Sequence, residues 1–393
     1  MVANSDNPFS FGALALDEAF ADREAELGEL ASDIRNGQDV VVFAPRRFGK
    51  SSLVWRATGT LAAEGVLVAQ VDLMTSPTKE ALAAALARSI YEQIASILER
   101  ARERALAPFR GLQVQPTVSV SPDDGALSFT FAAARQQAEI DATLVRLLEL
   151  PAELGAAKDH RIALVIDEFQ EVVGIDPDLP KLMRAVFQRQ PEVTHVYLGS
   201  KRHIMERIFN DANEPFWRSA KSIELGPIPV APFTKFIAER FKAGGRDVEL
   251  GVISELLRRT GGHPYATQEF CYALWEQTAP DETASGANLV RALGAVLRSE
   301  HAHFSLLWDG ASAVQKQVLR ALAREAGHPF SAAYRDRHSL PAATNVQKAL
   351  RALAKQELVN GEAGAYRITE PFLAEWLRAN IDGVYPGSPT AVR

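Results

Sequence analysis

Residues 40–53 constrain this chain more than any other stretch. Val40-Val41-Val42-Phe43 is an apolar run. It opens into Ala44-Pro45-Arg46-Arg47-Phe48 and closes on Gly49-Lys50-Ser51-Ser52-Leu53, and a helical pattern continues to about Ala63. Apolar strand, loop ending in Gly-Lys-Ser, then helix is the order a phosphate-binding loop requires. The backbone N–H groups of such a loop surround phosphate oxygens, and the helix N-terminus adds positive partial charge. Lys50 would reach β- and γ-phosphates, and Ser51 would offer its hydroxyl to Mg²⁺. The pattern's first glycine is Ala44 here. Alanine fits if its φ stays negative, since glycine alone takes positive φ freely.

A second anchor lies downstream. Ile162-Ala163-Leu164-Val165-Ile166 is apolar and delivers Asp167 and Glu168 at its end, followed by Phe169-Gln170. In open α/β sheets ligands bind at the carboxyl ends of strands. Asp167 would hold the shell of a hard cation, which prefers carboxylate oxygen, and Glu168 would polarise an attacking water. Thr194-His195-Val196-Tyr197-Leu198-Gly199-Ser200 reads as a further strand. Ser200 could sense the γ-phosphate or cap the following helix. Arg218 precedes a short strand near 221–225 and is a candidate finger toward a neighbouring subunit's γ-phosphate; a surface ion pair is the alternative.

The rest of the chain alternates strands and helices up to about residue 230. Residues 1–19 read as an extended arm, and a helix from 22 to 35 carries Asp22 as its candidate N-cap. Phe20, Ala21 and Arg23 either frame an adenine or open an ordinary surface helix. Val66-Leu67-Val68-Ala69-Gln70-Val71-Asp72-Leu73 is a second strand, and helical spacing covers roughly 78–107 and 135–157. Between those helices, β-rich runs flank Pro122-Asp123-Asp124-Gly125, a hairpin signal that makes 112–131 an insertion. From Ala231 strands are expected to stop, and helices cover about 232–242, 249–259, 263–278 and 287–306. His263, after Gly261-Gly262, either touches the nucleotide or caps a helix.

A third unit begins near Trp308, with helices over 315–324, 331–337 and 345–355, a hairpin over 358–368 and a closing helix from Pro371. Three helices and a β-wing make a winged helix-turn-helix. Its third helix offers Asn345, Gln347, Lys348, Arg351 and Lys355, amide and cationic groups suited to DNA. Residues 310–378 carry ten Lys/Arg against six Asp/Glu, a local excess of four positive charges in a chain whose net charge is −6. DNA contact and protein contact both remain open for this unit. Cys271 is the single cysteine and lies in a helical pattern, so no internal disulfide forms and a buried structural thiol is expected. The expectation is a cytoplasmic protein with no signal peptide and no membrane span.

Taken together, these motifs resemble the archaeal-type ATPase family, on the border between AAA+ proteins and STAND signalling NTPases. The resemblance runs from about residue 8 to 380. It rests on Phe20-Ala21-Asp22-Arg23-Glu24, the loop of residues 44–53 and Leu164 to Gln170. It continues through Leu198-Gly199-Ser200, Gly261-Gly262-His263-Pro264 and the terminal Glu370-Pro371-Phe372. It implies an α/β fold with a five-stranded parallel sheet in which the strand ending in Asp167 is not adjacent to the phosphate-loop strand. It further implies a helical lid and a C-terminal winged helix. The expected division is an ATPase domain over 1–230, a lid over 231–307, a winged helix over 308–380 and a loose tail over 381–393. The implied activity is Mg²⁺-dependent ATP binding and hydrolysis. Lys50, Glu168, Ser200 and Arg218 would act in catalysis, and Ser51 and Asp167 would hold the metal. The nucleotide would lie against Phe20, Arg23, Ala44, Pro45, Arg46, Arg47, Phe48, Gly49, Lys50, Ser51, Ser52 and His263. A DNA-associated ATPase and a signalling switch that oligomerises or binds proteins without DNA are both compatible with these residues, as is a scaffold that binds ATP without turnover.

Overall fold

A computed structural model describes residues 7–12, 20–98, 102–121, 127–132, 136–362 and 364–382. The chain packs as two compact units, one from Arg23 to Gly226 and one from Pro227 onward together with the segment ahead of Arg23.

The first unit opens with α1 (Glu24–Arg35), β1 (Val40–Phe43), α2 (Lys50–Ala63), β2 (Leu67–Asp72) and α3 (Lys79–Ile90). A π-helical turn over Tyr91–Ala95 interrupts the expected long helix. After it come α4 (Ser96–Leu98), α5 (Arg102–Leu106) and a 3₁₀ turn over Ala107–Gly111. The hairpin follows as β3 (Thr117–Val120) and β4 (Leu127–Thr130), antiparallel as expected. Its turn at Asp123-Asp124-Gly125 lies outside the described residues. Leu127, Phe129 and Phe131 are buried, and Phe129 packs 5.3 Å from Phe109 and 5.9 Å from Tyr91. The insertion therefore packs into the core of the unit through rings on both sides of residue 112. Next come α6 (Gln137–Lys158), β5 (Ile162–Asp167), α7 (Val172–Ile175), α8 (Leu179–Phe187), β6 (Val193–Gly199), α9 (Arg202–Asn210) and β7 (Lys221–Glu224).

Five parallel strands form the sheet in the order β2-β5-β6-β1-β7. The fold is α/β, and β6 separates β1 from β5 as the resemblance implies. Every residue of β1 and β6 is buried, and so are the first five of β5. Helices cover both faces of such strands, which is why they read as unbroken apolar runs. Thr194 and His195 are the buried polar pair in β6. The His195 backbone N–H donates to Asp39 Oδ1 at 2.8 Å, and its ring nitrogen Nδ1 lies 3.1 Å from the same oxygen. The start of α1 differs from expectation. Asp22 (φ 55°) does not cap the helix; Arg23 occupies the cap position in the left-handed region, with no side-chain cap bond.

The second unit contains α10 (Val230–Ala243), β8 (Asp247–Val248), α11 (Leu250–Thr260), α12 (Pro264–Glu276), β9 (Thr283–Ala284), α13 (Gly286–Ser299) and α14 (His301–Gly310). Strands do not stop at Ala231, because β8 and β9 form a short parallel pair. Two-residue strands leave too little periodicity to be seen in sequence. The helix expected over 287–306 breaks at Glu300. The winged helix follows as α15 (Ala313–Arg324), α16 (Ala332–Arg337), α17 (Ala343–Lys355), β10 (Val359–Glu362), β11 (Ala365–Ile368) and α18 (Pro371–Asp382). A single antiparallel bridge joins Gly327 to Tyr366 of β11, beside the two-stranded wing. The expected lid and winged helix share one core here: Phe270 stacks edge-on to Phe372 at 5.6 Å, and Arg259 pairs with Glu375 at 3.0 Å. The N-terminal segment joins them, since Phe9 is buried against Phe236 and Phe241. Cys271 is buried, and burial pushes its thiol well above the ordinary range, as a structural thiol requires. The expected loose tail beyond residue 382 lies outside the described residues.

One buried charge ties the first unit together. Lys79, at the start of α3, meets Asp141 of α6 at 2.6 Å and Asp176, after α7, at 2.5 Å. Burial alone would lower the ammonium pKa, but the two carboxylates raise it on balance. The bond from Lys79, helped by the Asp178 N–H, holds Asp176 below the usual carboxylate range. A depressed Asp contributes stability above its unfolded pKa and loses it as pH falls through the folded value. A raised Lys contributes stability below its unfolded pKa and loses it as pH rises through the folded value. Lys79→Met should therefore cost about 1–3 kcal/mol at pH 7. Urea unfolding should show that deficit shrinking as pH falls through the depressed Asp176 range.

Candidate active site

The phosphate loop leaves β1 at Ala44 and enters α2 at Lys50. Ala44 is buried and is not among the residues with positive φ, so the condition for alanine in place of glycine is met. The bend is taken instead by Arg47 (φ 65°) and Gly49 (φ 85°). Gly49 is the left-handed residue that precedes α2, a conformation glycine adopts without strain. Arg46 and Arg47 are exposed and Phe48 is buried. Lys50 is only 6% exposed, and its ammonium donates to Ala44 O at 3.0 Å and Pro45 O at 3.3 Å. Ser52 is buried on the inner side of α2.

Ser51 Oγ donates to Asp167 Oδ2 at 3.2 Å, joining the start of α2 to the end of β5. The Glu168 N–H donates to the other Asp167 oxygen at 2.8 Å. Burial pushes the Asp167 carboxyl above its ordinary range, and the charges of Glu168 and Asp72 add to that push. The bonds from Glu168 N–H and Ser51 oppose it without cancelling it. Asp72 ends β2 and stands in register with Asp167. Asp72 and Asp167 therefore stand side by side where β2 and β5 end, close enough to the Glu168 charge to feel it.

Glu168 has φ 50° and turns the chain into a 3₁₀ turn over Phe169–Glu171. Phe169 anchors that turn in an aromatic core, 4.7 Å from Tyr197 and 5.2 Å from Phe216. Glu168 Oε2 accepts from Ser200 Oγ at 2.9 Å and from Gln170 Nε2. Ser200 does not cap α9; Lys201 holds the cap position, with no side-chain cap bond, and pairs with Glu171 at 2.7 Å. The serine hydroxyl is drawn instead to the carboxylate beside it.

Arg23, Arg218, Phe20 and His263 are also expected at the nucleotide. Arg23 is buried, and its guanidinium donates to Gly226 O at 2.5 Å and Glu26 at 2.9 Å, so it fastens the end of the first unit. Arg218 (φ 49°) is exposed on the loop before β7, with its guanidinium 5.5 Å from the Trp217 ring centre. Phe20, half-buried, and His263, buried, belong to the second unit. His263 takes the capping role: its Nδ1 accepts from Ala266 N–H at 3.3 Å at the start of α12. Sequence reasoning missed Gln170 and Asp72. Asp72 had a readable signal, an acid closing an apolar run just as Asp167 does. Gln170 had none, because its position depends on the left-handed turn at Glu168.

Comparison with known proteins places the family and the fold. The family described as an ATPase domain predominantly from Archaea matches residues 20–270, and a probable winged helix domain matches residues 302–379. The Walker-type ATPase PABY2304 of Pyrococcus abyssi superposes with a TM-score of 0.64 at 18% identity, covering 94% of this chain and 99% of that one. The ORC2 protein of Aeropyrum pernix, solved as ADPNP–ADP complexes, gives a TM-score of 0.55 at 15% identity over 97% and 98% of the two chains. At such identities the likeness is one of fold. Comparison with curated protein sequences returns no match.

A carboxyl raised by burial and by like charge destabilises the fold once it ionises. That penalty builds up progressively as pH rises from the ordinary Asp value through the raised one. Asp167→Asn should therefore stabilise the nucleotide-free protein by about 0.5–2 kcal/mol at neutral pH. Thermal unfolding across pH 3–8 should show the gain disappearing at the acid end.

Proposed function

The chain belongs to the family of ATPase domains found predominantly in Archaea, and on that premise we propose that it binds Mg²⁺–ATP at the turn of residues 49–51 and hydrolyses it. The observation that carries this reading is the 3.2 Å contact between Ser51 Oγ and Asp167 Oδ2. It brings a hydroxyl and a carboxylate from two separate segments to one point. The residues fit a hard cation: the acids are oxygen donors, and like charge around Asp167 calls for a positive counterpart. No cluster of three or more His, Cys, Asp or Glu that could hold a metal occurs among the described residues. Mg²⁺ needs none, since it is commonly held by one or two protein oxygens together with substrate phosphates and water. Ser51 and Asp167 would hold it. When bound, it supplies charge neutralisation on the phosphates.

The chain's own residues do the rest. The N–H groups of residues 46–51 at the head of α2 present partial positive charge to phosphate oxygens. Lys50 adds a full charge, held in a buried setting where it acts through little solvent. Glu168 takes the proton of the attacking water, and Ser200 donates to the same carboxylate. Arg218, exposed beside Trp217, would reach a γ-phosphate only in an assembled oligomer. Lys50→Ala should abolish nucleotide binding measured by titration calorimetry. Glu168→Gln should keep binding and lose roughly 10²–10⁴ in turnover; a parental rate would remove Glu168 as the base.

We infer further that the winged helix contacts DNA. Asn345, Gln347, Lys348, Arg351 and Lys355 are all exposed along α17, while Val346, Ala349, Leu350 and Leu353 face the core. Lys348, Arg351 and Lys355 make no ion pair among the described residues, which leaves their charges for phosphates. Arg351→Ala should weaken duplex binding and reduce the slope of log affinity against log salt by about 1. ATP turnover that ignores added DNA, with mass that rises on nucleotide addition in light scattering, would instead favour a protein-binding switch. No helix among the described residues is long and apolar enough to cross a membrane.

A further inference from the structure

We propose that Gln170 is a positioning residue for hydrolysis, one that fixes the Glu168 carboxylate by a single oxygen and leaves the other for the attacking water. The inference rests on the reading of Glu168 as base. Gln170 is 3% exposed, and both ends of its amide are used. Nε2 donates to Glu168 Oε2, and Oε1 accepts from the Ser200 backbone N–H at 3.3 Å. Ser200 Oγ donates to the same Glu168 oxygen at 2.9 Å. Glu168 Oε1 receives no hydrogen bond among the described residues.

Two independent features hold the amide there. On one side its turn is anchored by Phe169 in the aromatic core; on the other the Glu171–Lys201 pair closes at 2.7 Å. The end of β6 is also shaped to admit it. A Cβ on Gly199 would lie 2.8 Å from Gln170 Oε1 and 2.4 Å from Met205 Sδ, so any larger residue there would push the amide or the Met205 side chain aside. An amide suits this place because it donates at one end and accepts at the other, which fixes its orientation. A carboxylate anchored through one oxygen cannot swing, and proton transfer is sensitive to small misplacements of its base. A carboxylate at position 170 could not donate and would set like charge against Glu168.

Steady-state Mg²⁺–ATP hydrolysis by the full chain tests this with Gln170→Met and Gln170→Glu, each also placed in the Glu168→Gln background. Gln170→Met should lower kcat by roughly 10–100-fold with KM changed by less than about 3-fold, and should add little once Glu168 is already Gln. Gln170→Glu should move the acid limb of the kcat–pH profile upward by about one unit or more. A parental kcat for Gln170→Met, an equal loss in both backgrounds, or an unmoved acid limb would overturn the proposal. If Gln170→Met does not fold, the near-isosteric Gln170→Glu decides through its pH profile. Parental turnover by Glu168→Gln alone would bring down the assignment of the base and this proposal with it. Lost turnover there, beside a normal Gln170→Met rate, would overturn only the role of Gln170.

Discussion

The Ser51–Asp167 contact is the constraint on which the site depends. Its two residues come from segments that are not neighbours in the sheet, because β6 lies between β1 and β5. Adjacent strands sit about 4.8 Å apart, so the gap between these strands is about 10 Å. It closes only because the phosphate loop rises over the strand ends and sets α2 down with Ser51 at its start. Insertion of β6, the register of β1 and the left-handed turn at Gly49 must all be correct for the hydroxyl to arrive. The cost is a carboxylate held among other carboxylates, visible in the raised Asp167. Stability given up at one point in this way is characteristic of a site shaped for a ligand rather than for folding.

The ends of β5 and β6 form a second layer around that point. Phe169, Tyr197, Phe209 and Phe216 pack into one aromatic cluster directly beneath the acid turn. Rings so packed give the 3₁₀ turn a rigid floor. Above it, Glu168, Gln170 and Ser200 share hydrogen bonds, and Glu171 and Lys201 share charge. The same cluster reaches Phe216, which immediately precedes Trp217 and Arg218. The acid turn and the exposed arginine loop therefore rest on common packing within the first unit.

Much of this was legible in the sequence. Fully buried parallel strands announce themselves as apolar runs, which is why β1, β5 and β6 were readable, as were the loop at Gly49-Lys50-Ser51 and the acids at 167 and 168. The winged helix was readable because three amphipathic helices and a glycine-bearing hairpin occur in fixed order. Features set by tertiary contact were not. The π turn at Tyr91–Ala95 follows no local signal, and β8 and β9 are too short to show alternation. Ser200 looks like a cap residue until β5 brings Glu168 beside it. Arg23 looks like a surface cation, yet it is buried on the Gly226 carbonyl. Gln170 is invisible without the φ of Glu168, since the pattern of residue types says nothing about a single left-handed residue.

Electron paramagnetic resonance of Mn²⁺, used in place of Mg²⁺, addresses the central claim most directly. The account predicts weak Mn²⁺ uptake by the protein alone. With ATP, uptake should be tight, with ³¹P hyperfine coupling from the bound phosphates, and both signals should be lost in Asp167→Asn. Tight uptake that ignores nucleotide, or phosphorus coupling that survives removal of the Asp167 carboxylate, would contradict a metal held between the Gly49-Lys50-Ser51 turn and the end of β5.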